Sequence, residues 1–157
     1  MLIQFQEYLT FENIYLWSNF GVLPFWLMLM AAPNSRLTQI LTNSVILPLI
    51  FSTLYVYSIY QIIILDLSLV EVFNLYISLD DLYAIFSSEN FLLIFWLHFL
   101  MLNLFLGSWV SRDAFKYNIP RKFVFLPLVL IYFMGPVGLV LYWLFRIFYA
   151  KKLGFHD

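Results

Sequence analysis

From Phe91 to Val110 the chain runs through about 20 mostly apolar residues, with Glu89 before them and Arg112 and Asp113 after them. At 1.5 Å per helical residue such a run matches the ~30 Å hydrocarbon thickness of a bilayer. Only a backbone that satisfies its own hydrogen bonds survives there, so the run predicts a membrane-spanning α-helix. His98 and Asn103 sit inside it. Hydrocarbon offers them no water, and each needs a partner from protein, lipid carbonyl or cavity. The rest of the chain points the same way: 64% hydrophobic, 11% charged, mean hydropathy +0.90 over 157 residues. A soluble domain of that size cannot hide so much apolar surface. The fold class predicted is all-α: a single polytopic membrane domain of four transmembrane helices, with a short interfacial helical segment between the second and third.

Several function classes are excluded at once. The net charge is −1 and the charges lie at segment ends, so there is no basic footprint for nucleic acid. With no cysteine, thiolate catalysis, disulfides and cysteine-ligated metals drop out. Two histidines, one in the C-terminal tail, argue against a metal site. The 22% aromatic content does not by itself indicate a pigment pocket, because AT-rich codon usage together with membrane packing is the better account of it. Glu7 and Glu12 open the chain without a Lys or Arg, unlike a secretory signal. A bacterial, organelle-encoded or already trimmed protein is expected.

The first span is expected over 14–32, with Asn19 and Pro24 inside it. Pro24 removes a backbone donor and predicts a packing kink. The short turn 32–36 then sends the second span, 37–65, back beside the first. At ~44 Å that span exceeds the hydrocarbon, so it tilts, bends at Pro48 or projects. Residues 66–88 alternate acids with apolar residues and read as an interfacial segment with an acidic outer face, or as a solvated acidic loop. The third span, 91–110, is expected to start from Ser87 or Ser88 as N-cap, with Glu89 favoured in the first turn by the helix dipole. On it, His98 shares a stripe with Trp109 and Arg112, and Asn103 shares another with Glu89 and Trp96. His98 is expected to point into the bundle, towards the first and last spans, because hydrocarbon would strip its hydrogen bonds. The last span is expected over 123–149, bent or broken at Gly135, Pro136 and Gly138. Arg112, Asp113 and the rest of the basic 111–122 loop belong on the cytoplasmic side. Four spans leave the basic tail (Arg146, Lys151, Lys152) on the opposite side, against the positive-inside rule.

The motifs Asn19-Phe-Gly-Val-Leu-Pro-Phe-Trp26, Phe86-Ser-Ser-Glu89, Trp96-Leu-His98, Asn103-Leu-Phe105, Asn118-Ile-Pro-Arg121 and Gly135-Pro-Val-Gly-Leu139 occur in that order. Together they resemble the abscisic acid-deficient-type membrane family, whose plant members are plastid proteins required to make neoxanthin. The resemblance covers about 14–150. It implies a neoxanthin synthase-like membrane protein in a bacterial inner membrane or a thylakoid. The implied reaction is an isomerisation of violaxanthin: an epoxide opens while a neighbouring carbon loses a proton, leaving an allene. No cofactor is required, and a carotenoid is the implied bound ligand. The chemistry needs an acid, a base and a dry aromatic slot. His98 and Glu89 are the acid/base candidates, and Asn19, Trp26, Trp96, Asn103 and Trp109 are the candidate lining of the slot. Two positions depart from the family pattern: Asn103 stands where Asp is usual, and Ser108 where Arg is usual. Three classes therefore remain open: a carotenoid-modifying isomerase, a non-catalytic carotenoid- or lipid-binding protein, and an accessory subunit of a larger photosynthetic or respiratory membrane complex. In each the partners are the bilayer, a carotenoid or other membrane subunits.

Overall fold

The computed structural model describes residues 10–42, 46–65 and 76–151, apart from the side chains of 48 and 62–65. Seven α-helices and no strand occur among the described residues: α1 (Phe11–Ala31), α2 (Arg36–Leu41), α3 (Ile46–Leu65), α4 (Leu79–Phe86), α5 (Glu89–Lys116), α6 (Arg121–Met134) and α7 (Pro136–Ala150). Two of them, α1 and α5, are long and apolar enough to cross a membrane. Helix α3 adds 20 residues without a charge, ~30 Å of helix. Residues 43–45 and 66–75, which belong to the expected second span and interfacial segment, lie outside the described residues.

Local chemistry sets the helix ends. The Thr10 hydroxyl accepts a hydrogen bond from the Asn13 N–H at 3.3 Å, and α1 then continues through Pro24. Ser35 caps α2 by accepting from the Thr38 N–H at 3.1 Å, and the Thr38 hydroxyl reaches back to the Ala32 carbonyl at 2.6 Å, closing the turn. Ser78 caps α4, with Asp80 and Asp81 in its first turn, where the dipole favours them. Of the two serines expected at the start of α5, Ser88 takes the N-cap position, its carbonyl accepting from the Leu92 N–H at 3.0 Å, and Ser87 does not. Its hydroxyl donates to the Tyr83 carbonyl at 2.9 Å and finishes α4 instead. Helix α4 buries no residue and leaves Leu79 and Tyr83 exposed beside its acids, the pattern of a helix lying on an interface.

The chain divides into two compact units. One comprises Met1–Asn19 with Leu49–Met101, the other Phe20–Pro48 with Leu102–Asp157. In the first, Ile14 on α1, Phe51 on α3 and Leu93, Ile94 and Leu97 on α5 are buried. A Ser52 hydroxyl to Met101 sulfur contact of 3.3 Å joins α3 to α5. In the second, Val22, Leu29, Leu104, Val110, Leu128, Ile131 and Tyr142 form the core.

The largest correction concerns residues 123–149. They do not form one span, bent or otherwise. The chain reverses at Gly135 (φ 43°, ψ −89°), and α7 returns along α6 as a tight hairpin. Phe123, near the start of α6, meets Phe145 and Tyr149, near the end of α7, at ring-centroid distances of 5.3 and 5.6 Å. Positive φ suits glycine, and Pro136 at the first position of α7 loses an N–H that would go unused there. Gly138 completes the device: a Cβ on it would collide with the backbone N of Ile131 and the carbonyl oxygen of Pro127. The 14 and 15 residues of the two arms give ~21–22 Å each, well short of ~30 Å.

The hairpin also moves the C-terminal charges. Arg146 pairs with Asp113 near the end of α5, and Arg121 at the start of α6 donates to the Met30 carbonyl near the end of α1. Arg36, Arg112, Lys116, Arg121, Lys122, Arg146 and Lys151 therefore gather at one end of the second unit. The conflict between the basic tail and the basic loop disappears, because both lie at the same end.

Candidate functional site

His98 is half-buried on α5, and its imidazole lies against the Tyr55 ring of α3, centroid to centroid 5.7 Å with the planes tilted by 43°. Its ring neighbour thus comes from the second apolar segment and not from the first. Glu89 does not join it. Nine residues separate the two on one continuous helix, which places them ~13.5 Å apart along the axis and about 180° around it. Glu89 is exposed in the first turn. A carboxylate and an imidazole so placed cannot serve as acid and base on the same few atoms, which must lie within hydrogen-bond reach of both.

Two of the expected lining residues do meet. The Trp96 Nε1–H donates to Asn19 Oδ1 at 3.0 Å, Asn19 Nδ2 donates to the Tyr15 carbonyl at 2.7 Å, and the Tyr15 ring lies 6.2 Å from that of Trp96. Asn19 thereby ties α1 to α5 within the first unit and satisfies the indole, the usual need of a buried tryptophan.

The remaining candidates belong to the second unit. Trp26, only 3% exposed, lies on bare backbone of α5. A Cβ at Gly107 would come within 2.7 Å of its Cη2. Its other neighbour is Tyr132 of α6, edge-on at 5.4 Å. One turn of α5 away, the buried Asn103 presses its carbonyl oxygen against the hairpin apex: a Cβ at Gly135 would sit 2.6 Å from Oδ1. The Asn103 Nδ2 group has no hydrogen-bond partner among the described residues. Such a buried donor costs about 1–3 kcal/mol, so it marks either a tolerated strain or a place for an oxygen from outside the chain.

Near the open end of the hairpin stands a cluster that the charge pattern alone did not single out as a site. Asp113, 9% exposed, accepts on Oδ2 from Arg146 Nε at 2.7 Å and from the Tyr142 hydroxyl at 2.6 Å. The fully buried Arg146 guanidinium is sandwiched between the Tyr117 and Trp143 rings, 4.7 Å from each centroid. Trp109 stacks on Trp143 and meets Tyr142 edge-on, so it belongs to this packing. Sequence reasoning assigned Asp113 and Arg146 to topology, and Arg112 is indeed exposed. The signal for the pair was available: a charge well inside an apolar stretch needs a partner. Among the described residues no group of three or more potential metal ligands lies together.

The model of one family, ABA DEFICIENT 4-like, matches residues 13–142. That range runs from Asn13 in α1 through α2 to α6 and into α7 as far as Tyr142. No curated protein matches the chain, and no solved structure does.

Proposed function

The chain belongs to the ABA DEFICIENT 4-like family, and from that membership we propose that it is an integral membrane protein that binds a xanthophyll. The observation that carries the chemical part is the His98–Tyr55 contact, an imidazole and a phenol side by side between two apolar helices. On an epoxidised end ring placed between them, the imidazole takes the proton of the carbon next to the ring. The C–H electron pair becomes the new double bond of the allene, the C–O bond of the epoxide breaks, and the oxygen takes a proton from the phenol. Nothing is oxidised or reduced. Proton return from imidazole to phenol resets the pair.

A second reading, a non-catalytic xanthophyll binder, is favoured by the separation of Glu89 from His98 and by the neutral Asn103. One experiment decides between them. Detergent-purified protein is expected to carry carotenoid absorption bands, and His98→Phe is expected to keep the pigment while losing conversion of violaxanthin to neoxanthin. Conversion unaffected by His98→Phe would leave binding as the function, and a colourless protein that takes up no added xanthophyll would defeat both readings.

The membrane arrangement follows from the hairpin. In the proposed topology α1, α3 and α5 span, and α6–α7 dips in from the basic side to the depth of Asn103 and returns. The basic end faces the cytoplasm or its organellar equivalent, as the positive-inside rule requires. Cysteines placed at Asn118 and at Lys151 should react with an impermeant maleimide from the same side of the membrane, and one at Ile77 from the other. Labelling of 118 and 151 from opposite sides would restore the four-span arrangement.

A further inference from the structure

We propose that the second unit holds an anionic phospholipid in the cavity at its basic end. This cavity of about 510 Å³ opens between the end of α1, the 32–35 turn, the end of α5 and the start of α6. Its walls are of two kinds. Leu29, Ala114, Phe115 and Leu128 give an apolar floor, whereas the turn backbone, Ser111 and Arg121 give a polar rim. Ser111, 5% exposed, stands on that rim. Arg121 is held in place by its own Nε and Nη2 bonds to the Met30 carbonyl at 3.2 and 2.8 Å, which leaves its other guanidinium hydrogens for an outside acceptor. Pro120 caps α6 without any side-chain bond, so the N-terminal N–H groups of that helix add their partial positive charge to the same rim.

The distribution of charge selects the occupant. All eight Lys and Arg residues of the chain fall within the second unit, and the first contains none. An anion is therefore drawn to this end and not to the other. A soluble phosphate would use the rim but leave the floor of Leu29, Phe115 and Leu128 unfilled. An amphiphile uses both, with its phosphate on Arg121 and an acyl chain on the floor. Basic pockets between membrane helices on the cytoplasmic side take such headgroups, and the volume lies within the range of ligand sites. A zwitterionic lipid offers the same chain but sets a cation against Arg121.

The test uses the full chain in nanodiscs of phosphatidylcholine with a minor share of phosphatidylglycerol, released into mild detergent and weighed intact by native mass spectrometry. The expected result is one phosphatidylglycerol retained per chain in preference to phosphatidylcholine. Removing the rim charge in Arg121→Gln should cut that preference about fivefold, the effect of one interfacial cation. Ala114→Phe, which fills the floor without changing any charge, should abolish retention. Ser111→Leu provides a second filled variant if the first unfolds, with tryptophan fluorescence melting as the check on folding. Lys151→Gln, at the same end but off the cavity, should change nothing. Equal retention of the two lipids, or retention undiminished in a folded filled-cavity variant, would overturn the proposal. Displacement of the lipid by millimolar inorganic phosphate would overturn it in favour of a free-anion site.

Discussion

Replacing Arg146 with methionine should destabilise the second unit by about 3–5 kcal/mol, the cost of leaving a buried carboxylate without its cation. Asp113 is 9% exposed and Arg146 fully buried, so water cannot take over for either. With Arg146 gone, Asp113 keeps only the Tyr142 hydroxyl at 2.6 Å. The Tyr117 and Trp143 rings lose the cation that both now face. The double variant Asp113→Leu/Arg146→Met should recover most of the loss, because desolvating two charges offsets much of what their attraction supplies. Denaturant titration in detergent, followed by tryptophan fluorescence, measures the parent, Asp113→Leu, Arg146→Met and the double variant. If the double variant is as unstable as the two single losses added together, the two residues act independently and the pairing is not what holds the hairpin base to α5.

The parts of this fold that could be read from the sequence are those that depend on one helix at a time. The apolar run Phe91–Val110 falls inside α5, and the helix expected over 14–32 is α1 within a few residues of each end. The arithmetic separating Glu89 from His98 was equally local, since nine helical residues always place two side chains on opposite faces. What could not be read is how 123–149 is arranged. A stretch of that length and apolarity has the same composition whether it crosses once or folds back as two half-length arms. The choice rests on contacts between residues far apart in sequence: Phe123 with Phe145, Gly138 with Pro127 and Ile131, Asn103 with Gly135. Gly135-Pro-Val-Gly138 announced a break, and only the packing shows that the break is a reversal. The Asp113–Arg146 pair was hidden by the same step. Once the last segment is taken as a single span, Arg146 belongs to the far side and has no reason to seek Asp113.

For the same reason Gly138 is the position where one side chain should undo most of the hairpin. Leucine at Gly138 would put its Cβ into the backbone of Ile131 and Pro127. Backbone atoms of a helix cannot rotate aside as a side chain can, so α7 must lift from α6. Overpacking usually costs 1–3 kcal/mol, and a contact with main chain on the hairpin's inner face belongs at or above the upper end of that range. Separation of the arms would break the Phe123 contacts with Phe145 and Tyr149 and draw Arg146 away from Asp113. Cysteines replacing Phe123 and Phe145 should be joined by a short bifunctional maleimide in the parent chain, and the yield should fall several-fold when Gly138→Leu is added. Gly21→Leu is the matched control, because nothing lies within 4 Å of a Cβ there. On α1 that substitution improves helix propensity by up to about 1 kcal/mol. Equal crosslinking in the parent and Gly138→Leu chains would mean that α6 and α7 do not meet through this glycine, and the half-depth hairpin would lose its structural basis.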